Sequence, residues 1–232
     1  MPKRRIRTPM TTTTISIEAQ LRLACWLSPA FPTGAFAYSH GLEWAVEAGD
    51  VRDAAGLALW LEDLLQHGAL WTDAVLLRLS YDASSGADRL RLAVLGAALA
   101  GSRERRLETL TQGAAFIASA RPWATPALES LPEETPYPVA VGVLAASHGV
   151  PLALTLAFYL HAAAGNLVSA AVRLVPLGQS AGLDCVRTLE PVIAARAVAS
   201  LRTTEDDLGG AAFRSDIASM RHETQYTRLF RT

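Results

Sequence analysis

Ser39, His40 and Glu43 supply the three side-chain types of a nucleophilic hydrolase within five residues. Such a site needs a serine hydroxyl touching an imidazole that a carboxylate orients. Adjacent residues on a helix point in different directions, so Ser39 and His40 do not face each other there. No separate oxyanion element is evident, which argues against acyl transfer. Ser39 and Glu43, four apart, are better placed to bond locally. Metal chemistry fares little better. His40, His67, His148, His161 and His222 include no pair at i, i+4, and Cys25 and Cys185 have no CxxC partner. Each histidine therefore reads as a packed or surface residue, with His222-Glu223 the best candidate for a partner or metal contact. The run Val175-Pro176-Leu177-Gly178-Gln179-Ser180-Ala181-Gly182 has phosphate-loop character but lacks the lysine that would reach phosphate. It reads as a tight interhelical turn in which Gly178 and Gly182 allow close approach.

Two segments carry a different chemistry, that of protein contact. From Ser28 to Glu43, two prolines and a glycine fix a turn, and small residues then let backbones approach. From Asp216 to Thr232 the chain mixes Arg221, Arg228 and Arg231 with Tyr226, Leu229 and Phe230. Arginine and aromatic anchors dominate interface energies. A short segment cannot bury Leu229 and Phe230 against itself, so it folds back onto the body or is held by another protein.

The elements that must position these segments are helices. Ile17, Leu21, Ala24 and Cys25 step by three and four. Leu42, Ala45 and Val46 share a face that Gly49 closes as a left-handed cap. Leu57, Trp60, Leu61, Leu64 and Leu65 form the cleanest stripe, with Asp53 as N-cap. Leu90, Ala93, Val94 and Ala97 follow. Ser102 caps a helix with Leu107, Leu110, Ala114, Ile117 and Ala118 inward, and the run Arg103, Glu104, Arg105, Arg106 and Glu108 reads as its solvated face. Pro122, Pro126, Pro132, Pro136 and Pro138 punctuate a long connection. Further helices are predicted from about 139 to 148, from Pro151 to Arg173, and from Gln179 to about Leu201 with a bend at Pro191. An acidic linker then leads to a short helix near Ser215. No period-two strand and no repeat is visible, so the predicted fold is an all-α, single-domain bundle of roughly ten helices.

Bulk numbers agree. Of 232 residues half are hydrophobic, 19% charged and 7% aromatic, a balance that favours Ala- and Leu-rich helices. The net charge of -1 gives no field for nucleic acid. Both cysteines read as buried thiols of a reduced compartment. Residues 1–15, basic and then threonine-rich, lack the apolar run of a signal peptide and are expected to be a disordered tail of a cytoplasmic protein. Val139 to Val172 contains no Asp, Glu, Lys or Arg, a length that could span a bilayer. Its Gly149, Pro151 and histidines, with alanine dominant, favour buried central helices, so no membrane association is expected. The expected organisation is a tail at 1–15, a body at 16–214 and a docking segment at 215–232.

Three motifs in this order resemble the UreF family of urease accessory proteins: SPAFPTGAFAYSHGLEWAVEAG at 28–49, VRLVPLGQSAG at 172–182 and DIASMRHETQYTRLFR at 216–231. The last is the most specific, and the resemblance covers nearly the whole chain from about residue 18. It implies a non-catalytic, dimerising all-α scaffold without cofactor. Such a protein binds the UreD/UreH accessory protein, and the pair recruits the GTPase UreG to deliver nickel to apo-urease. The resemblance puts the partner contact on Arg221, His222, Glu223, Tyr226, Arg228, Leu229, Phe230 and Arg231. It puts a further partner or dimer surface on Phe31, Pro32, Gly34, Tyr38, Ser39, His40 and Glu43, with Gly178 and Gln179. Two other classes compete: a hydrolase using Ser39 or His40, and a direct nickel chaperone using His222 or Cys185.

Overall fold

The computed structural model describes residues 16–232; the expected tail at 1–15 lies outside them. Among the described residues there are eleven α-helices and no strand, which bears out the all-α reading. In chain order they are α1 (Ile17–Trp26), α2 (Leu42–Glu47), α3 (Ala54–His67), α4 (Ala69–Asp82), α5 (Gly86–Ala98) and α6 (Arg103–Ser119). Then follow α7 (Pro126–Glu129), α8 (Tyr137–Ser147), α9 (Leu152–Leu174), α10 (Gln179–Ser200) and α11 (Phe213–His222). The helix starts follow local chemistry. Ser16, Asp53, Ser85, Ser102 and Thr125 each accept an otherwise orphaned amide of the first turn. Pro191 stays inside α10.

Helix α8 is the centre. Val139 to Ala145 are all buried, and the helix lies against α4, α5, α6 and α7. Only small residues permit this approach; a side chain on Gly142 would meet the Leu77 carbonyl at 2.5 Å. Helices α9 and α10 pack along one another through the short Val175–Gly178 link, and α3 and α4 complete that side. Among the described residues, helix α9 alone is long and apolar enough to cross a membrane, with mean hydropathy 1.4, yet 39% of that stretch is buried inside the fold. In α3 the predicted stripe is the observed one: Leu57, Leu61, Leu64 and Leu65 are fully buried. Each such leucine contributes about 1.5–3 kcal/mol relative to exposure.

Two helices are turned over relative to the periodicity, and in α5 the predicted face is split, with Ala93 and Ala97 buried but Leu90 and Val94 exposed. In α1, Ile17, Leu21, Ala24 and Cys25 face outward, while Ala19, Leu23 and Trp26 are buried. Trp26 decides the orientation by packing edge-on to Trp123 at 6.0 Å and against His148 at 5.5 Å. The expectation of a buried Cys25 is thereby corrected; Cys185 alone of the two is buried. In α6, Leu107, Ala114 and Ala118 are exposed, and Glu104, Arg105, Glu108, Thr109, Gln112, Gly113 and Phe116 face inward. The charged run read as a solvated face is instead largely interior. A side chain at Gly113 would collide with the Thr135 carbonyl, so this face must meet the 132–137 segment closely. The proline-rich connection holds two short turns, one of them α7, whose Leu128 joins the core.

Candidate functional site

The two contact-type segments of the sequence meet. His40 and Gly41 are consecutive left-handed residues, with φ of 60° and 77°. Such a conformation in a non-glycine residue marks local strain held by its surroundings. The turn starts α2 and lays Gly41 against α11: a Cβ there would sit 2.6 Å from the Ser219 amide nitrogen. Ser39 donates through both its amide (2.6 Å) and its hydroxyl (2.5 Å) to the Thr232 carbonyl. The Arg231 amide donates to the Ala37 carbonyl at 2.9 Å. Ser39 Oγ also accepts from the Glu43 amide at 3.3 Å, the local bond its spacing predicts.

Carboxylates hold the rest. Glu43 accepts from the amides of Leu229 (2.7 Å) and Phe230 (2.9 Å) and contacts His222 Nε2 at 3.1 Å. His222 Nδ1 lies 2.7 Å from Glu104, and Arg228 donates to the other Glu104 oxygen at 3.1 Å. The Thr232 hydroxyl donates to Glu108 at 3.1 Å. Gln225 donates to Glu47, and Glu223 accepts from the Arg103 amide at the start of α6. Phe230 is buried, with the Arg173 guanidinium 4.3 Å from its ring centre; Arg173 also donates to the Phe36 carbonyl.

Behind this face lies a buried ion network. Arg105 pairs with Glu108 at 2.6 Å and with Asp73 at 3.8 Å, and Tyr159 donates to Asp73 at 2.9 Å. His40 Nδ1 stands 3.8 Å from Glu108. Burial would raise the Glu108 carboxyl, but Arg105 and then His40 outweigh it and hold it down to about 2. Asp73, with the longer contact to Arg105, moves the other way: desolvation raises it. Glu104 is also raised, burial prevailing over His222 and Arg228. His40, Asp73, Arg105, Glu108 and Tyr159 border a cavity of about 300 Å³ whose lining also includes His161 and Ser169 of α9.

The structure thus gathers Tyr38, Ser39, His40 and Glu43 with residues 221–232, but as the inner side of a joint. Tyr38, Ser39, His40, Glu43, His222 and Phe230 are buried. His222, read as a candidate partner or metal contact, and Phe230, placed in the partner contact, are thus buried against this chain's own body. Among the described residues no three His, Cys, Asp or Glu side chains are arranged to hold a metal ion. What faces outward is Tyr226, fully exposed, and Leu229, 63% exposed, with Arg221, Arg228 and Arg231. Beside them α11 turns Phe213, Ile217 and Met220 to solvent. Phe31 packs instead on Phe116 and Trp123, while Pro32, Gly178 and Gln179 are exposed and Gly34 partly so. Gly182 makes the close approach expected of it, against Val172, and Gly178 does not.

Sequence reasoning missed Asp73, Glu104, Arg105, Glu108 and Arg173. A signal existed: Ser102, Arg105, Glu108, Thr109 and Gln112 form a polar stripe at helical spacing. The opposite face of α6 carries Ala114 and Ala118, which need little cover.

A body built only of helices, displaying an ordered C-terminal face of arginine, tyrosine and leucine, has the form of a protein-contact module. A family model described as UreF matches residues 51–190. The urease accessory protein UreF of Rhodopseudomonas palustris (strain TIE-1) is 54% identical over 222 residues, covering 92% of each chain. That of Agrobacterium fabrum is 54% identical over 217 residues, covering 93% of this chain and 97% of its own. That of Bradyrhizobium sp. (strain BTAi1) is 52% identical over 227 residues, covering 95% of each. The chain belongs to the UreF family of urease accessory proteins.

Proposed function

We propose that this chain is a non-catalytic scaffold of urease maturation in the cytoplasm. It binds a UreD/UreH-type protein through its C-terminal face and, with it, recruits or modulates a UreG-type GTPase. The assembly inserts nickel, as cargo, into apo-urease. The observation that carries this reading is the pairing of burial and exposure along residues 221–232. Amides and alternate side chains are tied to Glu43, Glu104 and Glu108, which leaves Tyr226, Leu229 and the arginines ordered and outward. An interface whose anchors are already ordered loses less entropy when a partner arrives. Arginine and tyrosine at its centre are the side chains that contribute most to such contacts. A homodimer belongs to the same proposal. Helix α9 is apolar, and several of its residues are only partly buried in one copy, a face that a second copy would cover.

The test is co-expression with UreD/UreH-type and UreG-type partners. The wild type is expected to capture the first, and the second through it. The double substitution Tyr226→Ser, Leu229→Asp touches no buried anchor and should weaken capture at least about tenfold. Equal capture by the variant, or none by a folded wild type, would overturn the reading.

A further inference from the structure

The apolar residues near the end of α6, which periodicity assigns to the interior, form a surface instead. Ala114 and Ala118 are exposed and Ile117 is half-buried. With Leu128, Leu131 and Pro132 of the following connection they line a groove of about 480 Å³. An apolar floor bordered by polar residues marks a contact site. The border here is charged: Glu129 and Glu133 are exposed beside the groove, with Arg121 the one cation among its lining residues. The neighbouring Glu134 is taken by Arg106 at 2.9 Å, whereas among the described residues Glu129 and Glu133 form no ion pair. The groove therefore offers an apolar seat next to two carboxylates that lack a cation.

Residues 1–15 have the matching character in their sequence. Lys3, Arg4, Arg5 and Arg7 surround Ile6, and no acidic residue precedes Glu18. On an extended chain Ile6 and Met10 share a face, and Pro9 biases the residue before it toward that conformation. The segment is also within reach. Helix α1 begins directly after Ser16 and is about 15 Å long. It ends at Trp26, whose ring lies 6.0 Å from that of Trp123, between Arg121 and Ala124 of the groove. Ser16 thus stands no more than about 30 Å from the groove, and the ten residues back to Ile6 span up to about 33–36 Å. We infer that the basic segment Lys3–Met10 of this same chain docks in the groove between α6 and α7. Ile6 and Met10 lie on the floor of Ile117, Ala118, Leu128 and Leu131, and the arginines meet Glu129 and Glu133. The segment acts as a strap that covers an apolar face of the body and withholds it from other proteins. It involves neither residues 221–232 nor any partner, so it stands or fails separately from the proposed function.

The test places a photocrosslinking benzophenone amino acid at position 6 of the full chain and maps the cross-linked peptides by mass spectrometry. Links within one chain to residues 114–133 are expected to dominate. Glu129→Lys combined with Glu133→Lys should lower their yield at least about threefold, because attraction becomes repulsion at two exposed positions. Circular dichroism should show the helices unchanged in that variant. If it misfolds, the unsubstituted body supplies the same readout: raising salt from about 0.05 M to about 1 M screens exposed charge pairs and should lower the yield in the same direction. Links scattered over the surface, or none, overturn the inference. Links that join two chains, seen as a doubled mass, give the groove to a second copy and overturn it too. So does a yield indifferent to both charge reversal and salt.

Discussion

Helices α3 and α6 contribute to one core, yet they bury opposite kinds of side chain. Helix α3 turns Leu57, Leu61, Leu64 and Leu65 inward. Helix α6 turns Glu104, Arg105, Glu108 and Gln112 inward and leaves Leu107 at 56% exposure. For α3, burial is favourable residue by residue, because each leucine leaves water without losing a partner. For α6, burial is tolerable only as a set. Glu108 needs Arg105, His40 and Thr232; Glu104 needs His222 and Arg228. The first kind of face stabilises the fold whatever the rest of the chain does. The second depends on a segment more than a hundred residues away, and so makes that segment's position specific.

The comparison can be broken most forcefully at Glu108. Replacing it by alanine strands Arg105 in the interior and is expected to cost about 3–5 kcal/mol in urea unfolding. A loss under about 1 kcal/mol would mean that the ion network is not held as described. Leu64→Ala, the matching excision from α3, should cost about 3 kcal/mol through the cavity it leaves. Acid separates the two faces. Glu108 is held down to about 2, so the stability it contributes is present above the ordinary carboxylate range. That contribution, about 3 kcal/mol, is lost as pH falls from about 4.5 toward 2. Asp73 is raised and takes up its proton earlier, which spares part of the loss. A Glu108→Gln chain should therefore show a shallower acid limb than the wild type in a near-ultraviolet circular dichroism titration; superimposable limbs would exclude the assignment. Phe230→Ala removes the group under Arg173 and should cost about 2 kcal/mol of tail docking. Hydrogen exchange should read that loss at 226–232 and not in α3. Smallest of all, Leu107→Asp should move stability by no more than about 0.5 kcal/mol, because the leucine faces solvent. A large loss there would restore the inward reading of that face.

The all-α class, most helix positions and the α3 stripe were legible because leucine spacing and caps such as Asp53 act locally. The orientations of α1 and α6 were not. Periodicity identifies the more apolar face, but the buried face is the one with partners. Trp26 finds Trp123 and His148, while Glu104 and Glu108 find His222, Arg105 and Thr232. Apart from Arg105 and Glu108, three residues apart on one helix, none of these pairs is close in sequence. The two contact segments could be recognised by their composition, as turn-forming 28–43 and anchor-rich 216–232. Their meeting could not, because Ser39 and Thr232 are joined across 193 residues. Nor did residue type alone separate inner from outer members of the tail: Leu229 and Phe230 are adjacent and similar, and one is exposed while the other is buried.

The span between Ser39 and Thr232 also sets a timetable. Synthesis delivers the α3 stripe early, and α3, α4, α8 and α9 can collapse on one another while the chain is still growing. Glu43, Glu104 and Glu108 wait through that interval with their partners not yet made. The outward segment comes into being only when residues 221–232 have been added, about a second of synthesis at about 5–20 residues per second. A chain interrupted before that point keeps most of its leucine core but leaves Glu43, Glu104 and Glu108 without their C-terminal partners. The ordered outward face is thereby restricted to chains whose translation has run through Thr232.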